Sequence, residues 1–153
     1  MQIESSLWTR DVEEEILPLC EELGIGFVAY SPLGRGMLTG NVTDIEAMRV
    51  GDARRNMPRF QGDNLRGNLD LVEELKKHAT VEPAQLALAW VLSRADYIVP
   101  IPGTSHRHRL EENAAALSLK ISPDTQEALL KLFAPGAASG LRYPDNHLIR
   151  LGI

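Results

Sequence analysis

The sequence predicts an α/β fold built on a parallel sheet, and three observations lead there. Residues 25–30 (IGFVAY) and 97–101 (YIVPI) are short, apolar and β-rich, the composition of strands buried on both faces. Longer segments with apolar residues at helical spacing separate and follow them. The order is strand, helix, strand, helices, strand, helix, helix, and this alternation favours parallel strands covered by helices. The 153 residues suffice for one domain with a sizeable core.

Each element has a local reason. Residues 2–8 alternate polar and apolar side chains, as a strand does. Residues 11–23 read as a helix with an acidic first turn, matched to the helix dipole, and Gly24 as its C-terminal cap. Pro18 should kink that helix or weaken one turn. After the 25–30 strand comes a long irregular stretch, about 37–63, carrying Arg54, Arg55 and Arg59 and read as a solvated loop. Residues 64–78 form a helix with Leu65, Leu69, Val72 and Leu75 inward. Residues 83–94 form another, with Pro83 in its first turn and Trp90 in its buried stripe. Helices follow over 109–117 and from Ser122–Pro123, a serine cap with proline behind it. Residues 134–153, rich in Gly, Ala and Pro at their start, are expected to be an extended tail. Only three strands are present, so the sheet cannot close and its two edges stay open.

Composition removes several function classes. The net charge of −5 provides no global field for nucleic acid or an anionic membrane, so neither is an expected partner. No run approaches the ~18 apolar residues of a membrane span. The one cysteine, Cys20, excludes an intrachain disulfide and sits at helical spacing with Val12, Ile16, Leu19 and Leu23, as a core thiol would. The expected compartment is the cytoplasm. His106 and His108 stand two apart without a completing cysteine or carboxylate pair, so no metal is expected.

Chemistry concentrates at two strand ends, where ligands of α/β folds collect. The first runs Tyr30-Ser31-Pro32-Leu33-Gly34-Arg35-Gly36. A tyrosine ring can lie on a planar heterocycle, Ser31 offers a hydroxyl, and Gly34 and Gly36 let backbone amides approach phosphate. Taken alone, it reads first as a plain strand-to-loop turn with an incidental tyrosine. The second runs from Ile101 through Gly103, Thr104 and Ser105 into a helix bearing Arg107, Arg109, Glu112 and Asn113. Hydroxyls, arginines and a helix N-terminus together suit an anion. A basic, solvated first turn explains the same residues.

The segments QIESSLWTRDVEEEILPLCEELGIGFVAYSPLGRGMLTG, RRNMPRFQGDN, QLALAWVL, IVPIPGTSHRHRLEEN and PGAASGLRYP resemble the aldo-keto reductase superfamily nearly end to end. The resemblance implies a partial (β/α)8 barrel, similar to strands 6 to 8 with their helices. It implies NADP(H) as cofactor and a small carbonyl compound as substrate once a missing half completes the barrel. By resemblance Gln2 matches the residue that bonds the nicotinamide carboxamide, and Tyr30 the ring stacked on the nicotinamide. Ser31, Pro32, Leu33 and the turn through Gly34 and Gly36 match pyrophosphate contacts. Thr104 and Arg109 match contacts to the 2′-phosphate and adenine, Glu112 and Asn113 contacts to the adenine edge, with Ile101 and Gly103 beside them.

The departures from the family pattern are informative. Gly103 stands where many relatives have a lysine for the 2′-phosphate, a charge Arg107 is placed to replace. Ser5 stands where relatives carry a large aromatic residue. The family's catalytic Asp, Tyr, Lys and His lie on the first four strands, with which no part of this chain aligns, so no catalytic residue is expected here. Two functions follow: the NADPH-binding portion of a reductase, inactive alone, or a non-catalytic cofactor-binding or oligomerisation module that self-associates through its open edges. An unrelated dinucleotide-binding domain is disfavoured, because no G-x-G-x-x-G opens a helix after a strand.

Overall fold

The computed structural model describes residues 1–144 and 147. Of the tail expected over 134–153, residues 145, 146 and 148–153 lie outside the described residues. Three short strands, β1 (Gln2–Glu4), β2 (Phe27–Tyr30) and β3 (Ile98–Pro100), form one parallel sheet in the order β1-β2-β3. Each new strand is added on the same side of the last, with helices in the crossovers α1 (Ile16–Glu22), α2 (Gly62–His78) and α3 (Pro83–Leu92). Helices α4 (Arg107–Ala115) and α5 (Pro123–Leu132) follow β3.

The sheet has one closed face and one open face. Phe27, Ala29 and Ile98 are fully buried with Trp90, Leu75, Leu129 and Phe133 in the core. Gln2, Val28 and Val99, paired across the strands, line the other face, where Val99 is 57% exposed. The expectation of strands buried on both faces is corrected: helices cover one side only.

Two predicted elements break early for identifiable reasons. The strand expected over 2–8 stops at Glu4, because the Ser6 hydroxyl accepts the amides of Trp8 and Thr9 and folds 6–9 into a tight turn. The helix expected from residue 11 divides into a 3-10 turn, Asp11–Glu13, and α1, which begins at Ile16. Pro18 thereby falls in the first turn, where its missing N–H matters least. Trp90 is fully buried and Cys20 nearly so, as their spacing implied.

The stretch after β2 is not a solvated loop. It contains 3-10 turns at Gly34–Thr39, Ala53–Asn56 and Pro58–Phe60, and all three arginines are engaged. Arg54 pairs with Asp52 at 2.7 Å. Arg55 donates to the carbonyls of Ile45 and Met48 and pairs with Glu46. Arg59 donates to the Thr9 hydroxyl and stacks over Trp8. Each guanidinium satisfies backbone or carboxylate groups that an irregular stretch leaves unpaired.

Candidate functional site

β2 and β3 are neighbours, so their carboxyl ends open side by side: Ala29 is paired with Pro100, and the Ile101 amide donates to the Ala29 carbonyl at 3.0 Å. Beyond these ends lies a cavity of about 1070 Å³, at the upper end of the range for small-molecule sites. Its first wall is the turn after β2, with Ser31, Pro32, Leu33 and Gly36. Its second is the lead into α4, with Ile101, Gly103, Thr104, Arg109, Glu112 and Asn113. The segment 41–54 forms the third, contributing Arg49 and Arg54 among others.

Ten of the fourteen residues singled out from the sequence therefore share one cavity, and four stand apart from it. Gln2 is exposed on the open sheet face. Arg107 is turned toward Glu111, one helical turn on, at 2.9 Å. Gly34 is buried, and a Cβ there would lie 2.6 Å from Trp8 Cε3. Tyr30 is half-buried and precedes Ser31 on the first wall without lining the cavity itself.

The turn after β2 is conformationally special. Ser31 (φ 49°) and Arg35 (φ 56°) are the non-glycine residues with left-handed backbone among those described. Such geometry is sparsely populated and persists where surrounding contacts impose it. Gly34 and Gly36 share it. Their amides are not free, correcting the simplest picture of a phosphate cradle: Gly34 donates to the Ser31 carbonyl at 2.9 Å and Gly36 to that of Leu33 at 3.0 Å. Opposite, α4 begins without a side-chain cap on its first turn, and Thr104 Oγ1 accepts the His106 amide at 3.1 Å.

What imposes the turn is a network the sequence did not reveal. Glu4, at the end of β1, is completely buried. Arg35 donates to both its carboxylate oxygens, at 3.1 and 2.6 Å, and Thr9 Oγ1 donates to Oε1 at 3.0 Å. Arg35 Nη2 also donates to the Tyr143 hydroxyl at 2.7 Å, and that hydroxyl lies 3.3 Å from the Tyr30 hydroxyl. Burial, the Tyr143 hydrogen bond and the charge of Glu4 push the Tyr30 phenol up to about 12. Burial acts to lower the Arg35 pKa, but the Glu4 carboxylate outweighs it and raises it. Asp52, on the cavity wall, is held down at about 2 by hydrogen bonds from Arg54.

A second missed residue is Asn68 in α2, fully buried. It donates to the carbonyls of Arg59 and Ser139 and accepts from the Ser139 amide and Trp8 Nε1. The segment after Phe133 is thereby tied back over the body of the protein. His106 and His108 are exposed and meet edge-to-face, their rings 5.6 Å apart. Among the described residues no group of three or more His, Cys, Asp or Glu could hold a metal, and no helix is long and apolar enough to cross a membrane.

The Aldo/keto reductase family model matches residues 1–132. The chain is 46% identical over 147 residues to the probable aldo-keto reductase 1 of Glycine max, covering 94% of this chain and 42% of that protein. Its fold superposes on the glycerol dehydrogenase of Gluconobacter oxydans with a TM-score of 0.80 at 24% identity, covering 92% of this chain and 43% of that one. A thermostable aldo-keto reductase solved with the inhibitor epalrestat gives 0.56 at 26% identity, over 86% and 38%. The chain thus spans less than half the length of the relatives it matches.

Proposed function

The chain belongs to the aldo/keto reductase family, an oxidoreductase family, and from that premise we propose that it is the NADP(H)-binding portion of a reductase acting on small aldehydes or ketones, built as strands 6 to 8 of a (β/α)8 barrel. The single observation that carries the reading is the shared cavity between the ends of β2 and β3. Ser31, Thr104 and Arg109 all line that one space, which supports reading them as contacts to a single ligand.

The residues present fit such a cofactor. Arg109 offers a planar, permanently charged donor set suited to a phosphate monoester. The first turn of α4 adds its dipole to the same end. Glu112 and Asn113 supply an acceptor and a mixed donor-acceptor pair for a purine edge. At the other end Ser31 can donate to a pyrophosphate oxygen, and Tyr30 offers a ring for the nicotinamide. When bound, the cofactor supplies a hydride; these residues bind and orient it and keep its two ends in register. No residue of this chain is assigned the proton donation that carbonyl reduction also needs, so binding without turnover is the expected behaviour of the chain by itself.

Calorimetry with NADPH, NADH and an aldehyde panel tests this. NADPH should bind, and Arg109→Met should weaken NADPH more than NADH. Absence of NADPH binding would sink the cofactor reading; turnover well above buffer would sink the binding-only one.

A second reading, a cofactor-binding or oligomerisation module, is favoured by the open sheet face, where Val99 and Ile101 are 57% and 46% exposed. Light scattering separates the two. A monodisperse dimer supports self-association through that face, and a monomer removes it. Under either reading we propose a cytoplasmic protein without a nucleic-acid or membrane partner.

A further inference from the structure

We infer that Tyr143 is a positioning residue for the nicotinamide end of the site: it fixes the ring plane of Tyr30 through a relay of held groups that begins at buried Glu4. The inference rests on the reading of Tyr30 as a nicotinamide platform and deepens it.

The backbone of Tyr30 is set by the sheet, where it pairs with Glu4. Its side chain keeps two rotatable bonds, and a stacking platform works only when the ring is held. The only polar atom on that ring is the hydroxyl, and it lies 3.3 Å from the Tyr143 hydroxyl. Tyr143 is itself pinned twice by Arg35. The guanidinium donates to its oxygen at 2.7 Å and sits 4.8 Å from its ring centroid. Arg35 is in turn gripped by both oxygens of Glu4, which no solvent reaches.

The direction of the bonds follows from the donor inventory. A guanidinium has no acceptor, so the Tyr143 oxygen accepts from Arg35. That oxygen has a second acceptor site, which takes the Tyr30 hydroxyl proton, the direction in which the bond raises the Tyr30 phenol. Arg35 and Tyr30 thus both end on the Tyr143 oxygen, and Glu4 holds Arg35 in place. Nothing else in this network requires Tyr143: Arg35 already satisfies Glu4, and Asn68 already holds the neighbouring segment at Ser139.

Tyr143→Phe removes the hydroxyl and leaves the ring over Arg35. Calorimetry of the 153-residue chain with NADPH, nicotinamide mononucleotide and 2′,5′-ADP reads the two halves of the site separately. The variant should bind NADPH and the mononucleotide roughly 3- to 10-fold more weakly, the effect of freeing one side chain. Binding of 2′,5′-ADP should not change. An ultraviolet titration adds a local readout: the Tyr30 phenol, held at about 12, should move toward its ordinary value. Unchanged NADPH and mononucleotide binding overturns the inference and leaves the cofactor reading standing. Equal loss of 2′,5′-ADP, or loss of folding, overturns it in favour of a general structural role. A wild-type chain that binds neither NADPH nor 2′,5′-ADP overturns the cofactor reading, and this inference with it.

Discussion

Arg35 grips Glu4 across 31 residues of sequence, with 2.6 Å between Nη2 and Oε2 and 3.1 Å between Nη1 and Oε1. One partner is a turn residue with left-handed backbone, and the other is a carboxylate without solvent contact at the end of an edge strand. The pair fastens the turn after β2 to β1 and so sets one wall of the cavity.

Arg35→Met should destabilise the protein by about 3–5 kcal/mol, because it leaves the Glu4 carboxylate buried with only the Thr9 hydroxyl. Glu4→Gln combined with Arg35→Met should recover more than half of that loss, since no charge is then stranded. Urea unfolding of the two variants measures this. An Arg35→Met protein within about 1 kcal/mol of wild type would show that the pair is solvated in solution.

Gly34→Ala and Gly24→Ala separate backbone strain from packing. Both positions have left-handed φ, 55° and 63°. A Cβ at Gly24 meets nothing within 4 Å, whereas one at Gly34 would lie 2.6 Å from the Trp8 ring. Gly24→Ala should cost about 1 kcal/mol, from conformation alone. Gly34→Ala should cost about 3 kcal/mol, because Trp8 must also move. Equal losses in urea unfolding would mean that the Trp8 contact is looser than described.

What could be read from the sequence was what depends on neighbours in the chain. The run ending at Tyr30 and the helix entered through Thr104 are local patterns, and ten of the residues they nominated surround one cavity. Glu4 gave no signal, because its partner is 31 residues away. Asn68 gave none either: its partners, Trp8, Arg59 and Ser139, are scattered along the chain. Arg54, Arg55 and Arg59 looked like a solvated charge cluster because composition cannot show which carbonyls a turn leaves unpaired.

Asn68→Ala should cost about 3 kcal/mol. It strands the Ser139 amide, its carbonyl and the Trp8 indole N–H, and a buried polar group without its partner costs ~1–3 kcal/mol. It should also release the segment after Phe133. Arg142, whose side chain is 12% exposed, would then become a trypsin site. Mass spectrometry of a timed digest should find faster cleavage after Arg142 in the variant than in wild type. Equal rates would mean that other contacts hold the segment.

Tyr30 should make the protein lose stability between pH 10 and pH 12. Its phenol titrates at about 12 in the folded protein, raised first by burial and then by the Tyr143 hydrogen bond. In the unfolded chain it titrates near 10. Below pH 10 both states hold the proton, and the favourable neutral environment contributes fully. As pH rises through 10 the unfolded state releases its proton while the folded state retains it. The unfolded state then binds fewer protons, and by linkage its relative free energy falls until the folded phenol also ionises near 12. Other groups titrate in the same range, so the measured quantity is a difference: wild type against Tyr30→Phe, by urea unfolding at half-unit steps from pH 9 to 12. The wild-type curve should fall more steeply than the variant's across that window. Parallel curves would mean that the Tyr30 hydroxyl is solvated and free of Tyr143.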